Sequence, residues 1–289
     1  MTTFKQFLQE KIITKWSSNE VTRDEALILL NKHCRDGLKA VQHRGLLFRG
    51  FSKSLGWQSV LDSSTLKRTS LDTNNLYQIM MDSSESLKNY PKRSSSFICS
   101  TYFYDASDYG GYVYAMIPFD GTKVATASVR DFFNTEVSSP LLNEPTSIDN
   151  IGFKLSDAFG RLGVKRSKAN PQFTNMSEID AVLSKVDVDV ISKVITKAYG
   201  TTDFNEKKVE KVLGSADTNE RATALASALI TEKSLGMKLN SFGDALPKCE
   251  AWFSGKCVAI EIHAFISILK QLRDQDFPIH DDYLDLISM

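Results

Sequence analysis

Glu250-Ala-Trp-Phe-Ser-Gly-Lys-Cys-Val-Ala-Ile-Glu-Ile262 is the stretch whose reading decides the fold class. Two apolar runs, rich in aromatic and β-branched residues, flank Ser254-Gly255. Turn residues between two such runs predict a β-hairpin. The segment before it has the opposite character. Residues 218–235 are alanine-rich and strongly helix-prone, Asn205 can open a short helix ending at Gly214, and Ser177 and Asp180 can cap one carrying Ile179, Val182, Leu183 and Val186. Further back, residues 45–130 are strand-rich. Gly45-Leu-Leu-Phe-Arg-Gly-Phe51 is a short apolar run bounded by glycines, and Ser95-Ser-Phe-Ile-Cys-Ser-Thr-Tyr-Phe-Tyr104 and Gly111-Tyr-Val-Tyr-Ala-Met-Ile-Pro118 read as strands. Asp120-Gly121 turns into Lys123-Val-Ala-Thr-Ala127, and one helix is expected near residues 74–82. Strands, then helices, then strands again make an α+β protein, not the alternation of a parallel-sheet fold.

The first forty residues read as helical. Phe4, Phe7, Leu8, Ile12, Ile13 and Trp16 recur at helical spacing. Thr22 and Glu25 form a capping box for a second helix, with Val21 placed to staple Ala26, and Leu27, Leu30 and Cys34 continue its face. The expected organisation is therefore N-terminal helices over 1–44 and a first sheet segment over 45–148. A helical insertion over 149–236 and a returning segment with a C-terminal helix over 237–289 complete it.

Bulk composition narrows the function. A chain of 289 residues with 42% hydrophobic and 24% charged residues is an ordinary globular protein. No apolar run approaches the ~20 residues of a membrane span. Met1 to Glu10 carries Lys5 and Glu10 among scattered Phe and Leu, which does not read as a secretory leader, so the expected compartment is the cytoplasm. Lysine plus arginine equals aspartate plus glutamate, 35 against 35. That balance argues against nonspecific binding to nucleic acid through phosphates. Cys34, Cys99, Cys249 and Cys257 are scattered with no C-x-x-C pair, and the four histidines stand in dissimilar contexts. No metal site is expected. The phosphate-cradling glycine motifs, H-E-x-x-H and G-x-S-x-G are all missing.

What stands out is polar residues at strand ends. Arg49 closes Leu46-Leu47-Phe48 and is followed by Gly50. A buried arginine must meet an anion or carboxylate to offset its desolvation, and the glycine lets a ligand approach the backbone. Alone, a strand-end arginine reaching out to water is the simpler reading. Ser100-Thr101 supplies two hydroxyls at the end of the next run, and Glu250 opens the last apolar pair directly behind a loop. Arg68, Asp72 and Arg93 are further candidates for the same site, although Asp72-Thr73-Asn74 reads first as a helix cap.

Leu46-Leu-Phe-Arg-Gly50, Phe97-Ile-Cys-Ser-Thr101 and Glu250-Ala-Trp-Phe-Ser-Gly-Lys-Cys-Val-Ala-Ile260, in that order, resemble the arginine–serine–glutamate class of mono-ADP-ribosyltransferases. The segment with Tyr109-Gly110 before a strand is also similar to that class. The resemblance covers residues 45–127 and 240–262, and extends to transferases carried by bacteriophages, which would act in the host cytoplasm. It implies an ADP-ribosyltransferase-like split mixed sheet as the core, with NAD as co-substrate and a macromolecular acceptor, protein or nucleic acid. It also implies roles for the residues. Arg49 would hold the NAD phosphates and ribose, and the Gly50 backbone would clamp the nicotinamide amide. Ser100, followed by Thr101, would position Glu250, and Ser96 is an alternative serine. Glu250 would bond the ribose 2′-hydroxyl, and Tyr102 or Tyr104 would stack on the nicotinamide. Two positions depart from the pattern: Tyr102 replaces the third residue of Ser-Thr-Ser, and Lys248 stands two residues before Glu250, where arginine-modifying members carry Glu. A cation there repels a guanidinium acceptor. The rival reading is a non-enzymatic interaction or structural protein, including a phage component, or an inactive nucleotide-binding module of the same fold.

Overall fold

A computed structural model describes residues 11–14, 17–69, 75–130, 132, 135–164, 173, 175–198 and 203–288. By contacts the chain divides into two compact units. One comprises Met1–Arg68, Tyr90–Arg130 and Lys238–Met289, and the other Thr69–Asn89 and Asp131–Met237. The second unit thus takes in 69–89 and begins earlier than the insertion read at 149–236.

In the first unit the apolar runs pair into one sheet. Its strands are β1 (Ser17–Glu20), β2 (Leu47–Phe51), β3 (Gln58–Asp62), β4 (Phe97–Ser100) and β5 (Tyr112–Pro118), then β6 (Lys123–Thr126), β7 (Lys238–Ser241), β8 (Glu250–Phe253) and β9 (Lys256–Glu261). Their spatial order is β7-β6-β8-β4-β2-β5-β9-β3-β1. Every neighbouring pair is antiparallel. The protein is α+β, but the sheet is not mixed as the resemblance implied. That feature came with the resemblance alone, since no strand pattern in this sequence fixes direction.

The sheet is nonetheless almost divided. β2 and β4 share one residue pair, Phe48 with Ser100, whereas β2 matches β5 from Leu47 to Phe51 and β4 matches β8 along its whole length. A four-strand half and a five-strand half therefore meet at a single pair. The expected hairpin at Ser254-Gly255 is corrected by the same topology. β8 lies between β6 and β4, and β9 lies between β5 and β3, so the turn carries the chain from one half to the other. Gly255 takes φ +108°, and its backbone bonds Ser63 in both directions at 2.8 and 3.1 Å. A turn signal says that the chain bends; it does not say that its flanks pair.

Helix Arg23–His33 begins with the expected capping box: Glu25 N donates to Thr22 Oγ1, and Thr22 N to the Glu25 carboxylate. The helices Ile262–Asp274 and Asp281–Ile287 bury Phe265, Leu269, Tyr283 and Leu286 in the same core as Leu47, Phe48, Phe253 and Cys257. Two local expectations fail. Lys11–Thr14 and Ser17–Glu20 are strands, not helix, because a run of two or three apolar residues fits either period. Phe4, Phe7, Leu8 and Trp16 lie outside the described residues. The strand expected to reach Tyr104 stops at Ser100, whose hydroxyl accepts from Tyr102 N at 3.0 Å and turns the chain into helix Phe103–Ser107.

The second unit is mainly helical, with Ile148–Arg161, Met176–Leu183, Val188–Thr196, Glu206–Ser215 and Arg221–Leu229 among its helices. Asn205 caps Glu206–Ser215, as its sequence position suggests. Asn175, not Ser177 or Asp180, caps Met176–Leu183. Asp180 instead accepts from Ala222 N and Thr223 Oγ1 at the start of Arg221–Leu229, a role set by tertiary packing. Burial pushes the Asp149 carboxyl from 3.8 up to about 6, and its Oδ1 has no partner among the described residues. The folded value exceeds the unfolded one. Between those values the folded state keeps a proton that the unfolded chain has lost, so stability falls as pH rises through the window and stays lower above it. Asp149→Asn removes that slope. Its melting temperature is expected to exceed wild type at pH 7 and to match it near pH 4, as thermal unfolding across that range would show.

Candidate active site

The register of β4 against β8 sets the centre of the site. Glu250 stands opposite Ser100, Ala251 opposite Cys99 and Trp252 opposite Ile98. Directly opposed residues project from the same face with Cβ atoms about 5 Å apart, so Ser100 and Glu250 lie within one side-chain length. Both are buried, at 1% and 3% exposure. The backbone of Glu250 is fixed at the strand end: its N–H donates to Val129 O at 2.9 Å, and its carbonyl accepts from Ala127 N at 3.0 Å.

Arg49 enters where the two sheet halves part. It follows Phe48, the one residue of β2 that pairs with β4. Its Nη1 donates to Ile98 O of β4, and its guanidinium lies 5.3 Å from the Phe51 ring centroid. Arg68, 5% exposed, donates to Ser96 O at 3.0 Å. Arginine side chains thus take the carbonyls of Ile98 in β4 and of Ser96 just before it, beyond the one pair of β4 with β2. Burial pushes the Arg49 guanidinium below its ordinary value, and the Glu250 charge is among those opposing the push. Of the three residues read from sequence as a catalytic set, Ser100 and Glu250 stand directly opposite each other, and Arg49 meets the same strand through Ile98 O.

The sequence did not reveal what holds Glu250. Arg93 Nη1 bonds Glu250 Oε1 in a pair with both partners buried. The Arg93 guanidinium also lies 5.2 Å from the Trp252 ring centroid, and the Trp252 indole N–H donates to Pro91 O at 3.0 Å. The only sequence signal was an arginine in Pro91-Lys-Arg-Ser-Ser-Ser96, directly before an apolar strand. Asp72, considered with it, lies outside the described residues.

The other expected contacts divide. Ser96 is fully buried, and its hydroxyl donates to Lys92 O at 2.6 Å and meets Ser254 Oγ at 2.8 Å. It ties the 92–96 turn to the turn between β8 and β9, at the opposite end of β4 from Ser100. Thr101 is a staple: its hydroxyl accepts from Cys249 N at 2.8 Å and donates to Pro247 O at 2.6 Å, and its N–H donates to Cys249 O. Thr101→Val leaves the buried Cys249 N–H without that acceptor, which costs about 1–3 kcal/mol. Thr101→Ser is expected to retain most of the stability in urea unfolding. Gly50 does not leave room for a ligand at its Cα. A Cβ there would meet Ala106 O at 2.4 Å and Gly110 N at 2.6 Å, so the chain's own backbone fills the space.

Tyr102 is half-buried between two cations, with Lys248 Nζ 4.6 Å and Arg130 5.3 Å from its ring centroid. Tyr104 is the more open aromatic at 49% exposure. Lys248 also lies 3.6 Å from Asp282. Burial pushes the Asp105 carboxyl up, with Arg130 opposing.

The chain matches no protein-family model, no curated protein and no solved structure.

The chemistry available here is therefore a buried carboxylate held by an arginine, a hydroxyl opposite it, and a second arginine at the sheet division. All four thiols are free and buried. Burial pushes Cys34, Cys99 and Cys249 up to about 12 and Cys257 well above its ordinary value, so none is a ready nucleophile. Among the described residues no three His, Cys, Asp or Glu side chains gather as a metal ligand set, and no helix is long and apolar enough to cross a membrane.

Proposed function

We propose that this chain is an NAD-dependent mono-ADP-ribosyltransferase. The observation that carries the reading is the opposition of Glu250 and Ser100 across β8 and β4, beside the point where Arg49 enters between the sheet halves. In the proposed reaction the bond from ribose C1′ to the nicotinamide nitrogen breaks, and its electron pair leaves with nicotinamide. Glu250 faces the positive charge that develops on the sugar, and a carboxylate prearranged there stabilises the transition state by electrostatics. A lone pair of the acceptor then bonds to C1′, and the acceptor's proton is released. Water in place of the acceptor yields ADP-ribose, nicotinamide and a proton. Arg49 supplies the planar donor fork suited to phosphate oxygens. Lys248 beside Tyr102 disfavours a guanidinium acceptor, which leaves other protein side chains or nucleic acid.

The test is nicotinamide release from NAD by the purified protein, with and without cell lysate. Stimulation by lysate is expected, and the labelled product identifies the acceptor. A second reading, a non-enzymatic interaction or structural protein, is favoured by one observation: Glu250 is nearly sealed from solvent and paired to Arg93. Absence of both release and calorimetric NAD binding would select that reading.

A further inference from the structure

We infer that Arg93 is a positioning residue for Glu250, holding its carboxylate in a fixed orientation for bond cleavage. This rests on the transferase reading. Taking a carboxylate out of water disfavours its charged form unless a cation meets it. Glu250 is 3% exposed and Arg93 is the cation that meets it.

The way Arg93 is built in points to orientation. It opens the 3-10 turn Arg93–Ser95, and that turn is closed by Ser95 N donating to Lys92 O at 3.1 Å and by the Ser96 hydroxyl donating to the same carbonyl. Trp252, two residues beyond Glu250, projects from the same face of β8. Its ring lies against the Arg93 guanidinium while its indole N–H bonds Pro91 O, two residues before Arg93. Turn, arginine, carboxylate, strand and indole form a closed circuit that fixes the guanidinium from two sides. A buried ion pair of this kind adds little net stability compared with apolar packing, so stability alone does not account for it. Arg93 engages Oε1, and a carboxylate accepts several bonds at once. The pair is therefore compatible with a sugar hydroxyl joining it.

An arginine acting through Glu250 affects turnover more than NAD binding. The experiment compares wild type, Arg93→Lys and Arg93→Gln in steady-state nicotinamide release and in calorimetric NAD affinity, with turnover expressed per folded molecule. Arg93→Gln is expected to lose about 100-fold in kcat, the scale of removing one electrostatic element from an active site. Arg93→Lys keeps the charge without the planar fork and is expected to lose roughly tenfold. NAD affinity stays within about threefold in both, because transition-state interactions alone are weakened. The lysine variant keeps a cation beside Glu250, so it reports even where the glutamine variant does not fold. The assignment is overturned if a folded variant turns over like wild type, or if NAD affinity falls in step with kcat. Silence of the wild-type protein would instead overturn the transferase reading beneath it.

Discussion

Glu250→Gln is expected to slow nicotinamide release by about 10²–10³, the scale seen when a group aimed at developing charge is removed. The substitution keeps the shape of the side chain, removes its charge and replaces one acceptor oxygen with an NH2 donor. The reason to expect so large an effect is the position of the carboxylate, which lies opposite Ser100 at a strand end and is shielded from water. Shielding raises the worth of a fixed charge, because little solvent screens it. The same substitution strips buried Arg93 of its carboxylate. Breaking a buried pair from one side costs about 3–5 kcal/mol, so the melting temperature should also fall. The two effects separate when turnover is measured per folded molecule, well below the melting transition. A destabilised Glu250→Gln protein with undiminished turnover would make Glu250 a structural residue and end the proposal.

Gly50→Ala should be the most damaging of the conservative substitutions. The added Cβ would stand 2.4 Å from Ala106 O and 2.6 Å from Gly110 N. These are backbone atoms, so no side chain can rotate away. Gly110 faces the same constraint from the other side, since its own Cβ would lie 2.4 Å from Phe51 C. Relief requires β2 to move away from helix Phe103–Ser107, and overpacking of this kind costs about 1–3 kcal/mol or more. Because Arg49 precedes Gly50, the shift would reach the division between the sheet halves, and activity should fall with stability. Denaturant unfolding checks the first effect; wild-type stability in Gly50→Ala would show that the two glycines are not in close contact.

The sequence made the local structure around the site legible and left its partners obscure. The apolar run at Glu250–Phe253 and the Thr22–Glu25 capping box are signals spanning a few residues, and both appear in the structure. The Ser254-Gly255 turn was equally visible, but the partners of β8 are β4 and β6, from a distant part of the chain. Local chemistry cannot choose between pairing with the next strand and passing on to another half of the sheet. Arg93 was a candidate for the site, but its pairing with Glu250 was not legible for a related reason: the two are 157 positions apart. Gly50 was read as making space for a ligand. A glycine reports only that something comes close, and here that something is the chain itself.

The three separate stretches that make up the sheet unit impose an order on its biosynthesis. Thr101 and the Cys249 that it staples are 148 positions apart. At roughly 5–20 residues per second, a ribosome needs on the order of ten seconds to deliver the second after the first. For most of that interval β4 and β6 have been made, while the strand that belongs between them has not. The edges of β4 and β6 that face the gap are then unmatched, the kind of surface on which misassembly begins. Until Glu250 arrives, the nascent polypeptide also lacks the carboxylate on which the proposed reaction rests. Late delivery of β8 thus makes this interval the one in which the sheet is most open to mispairing.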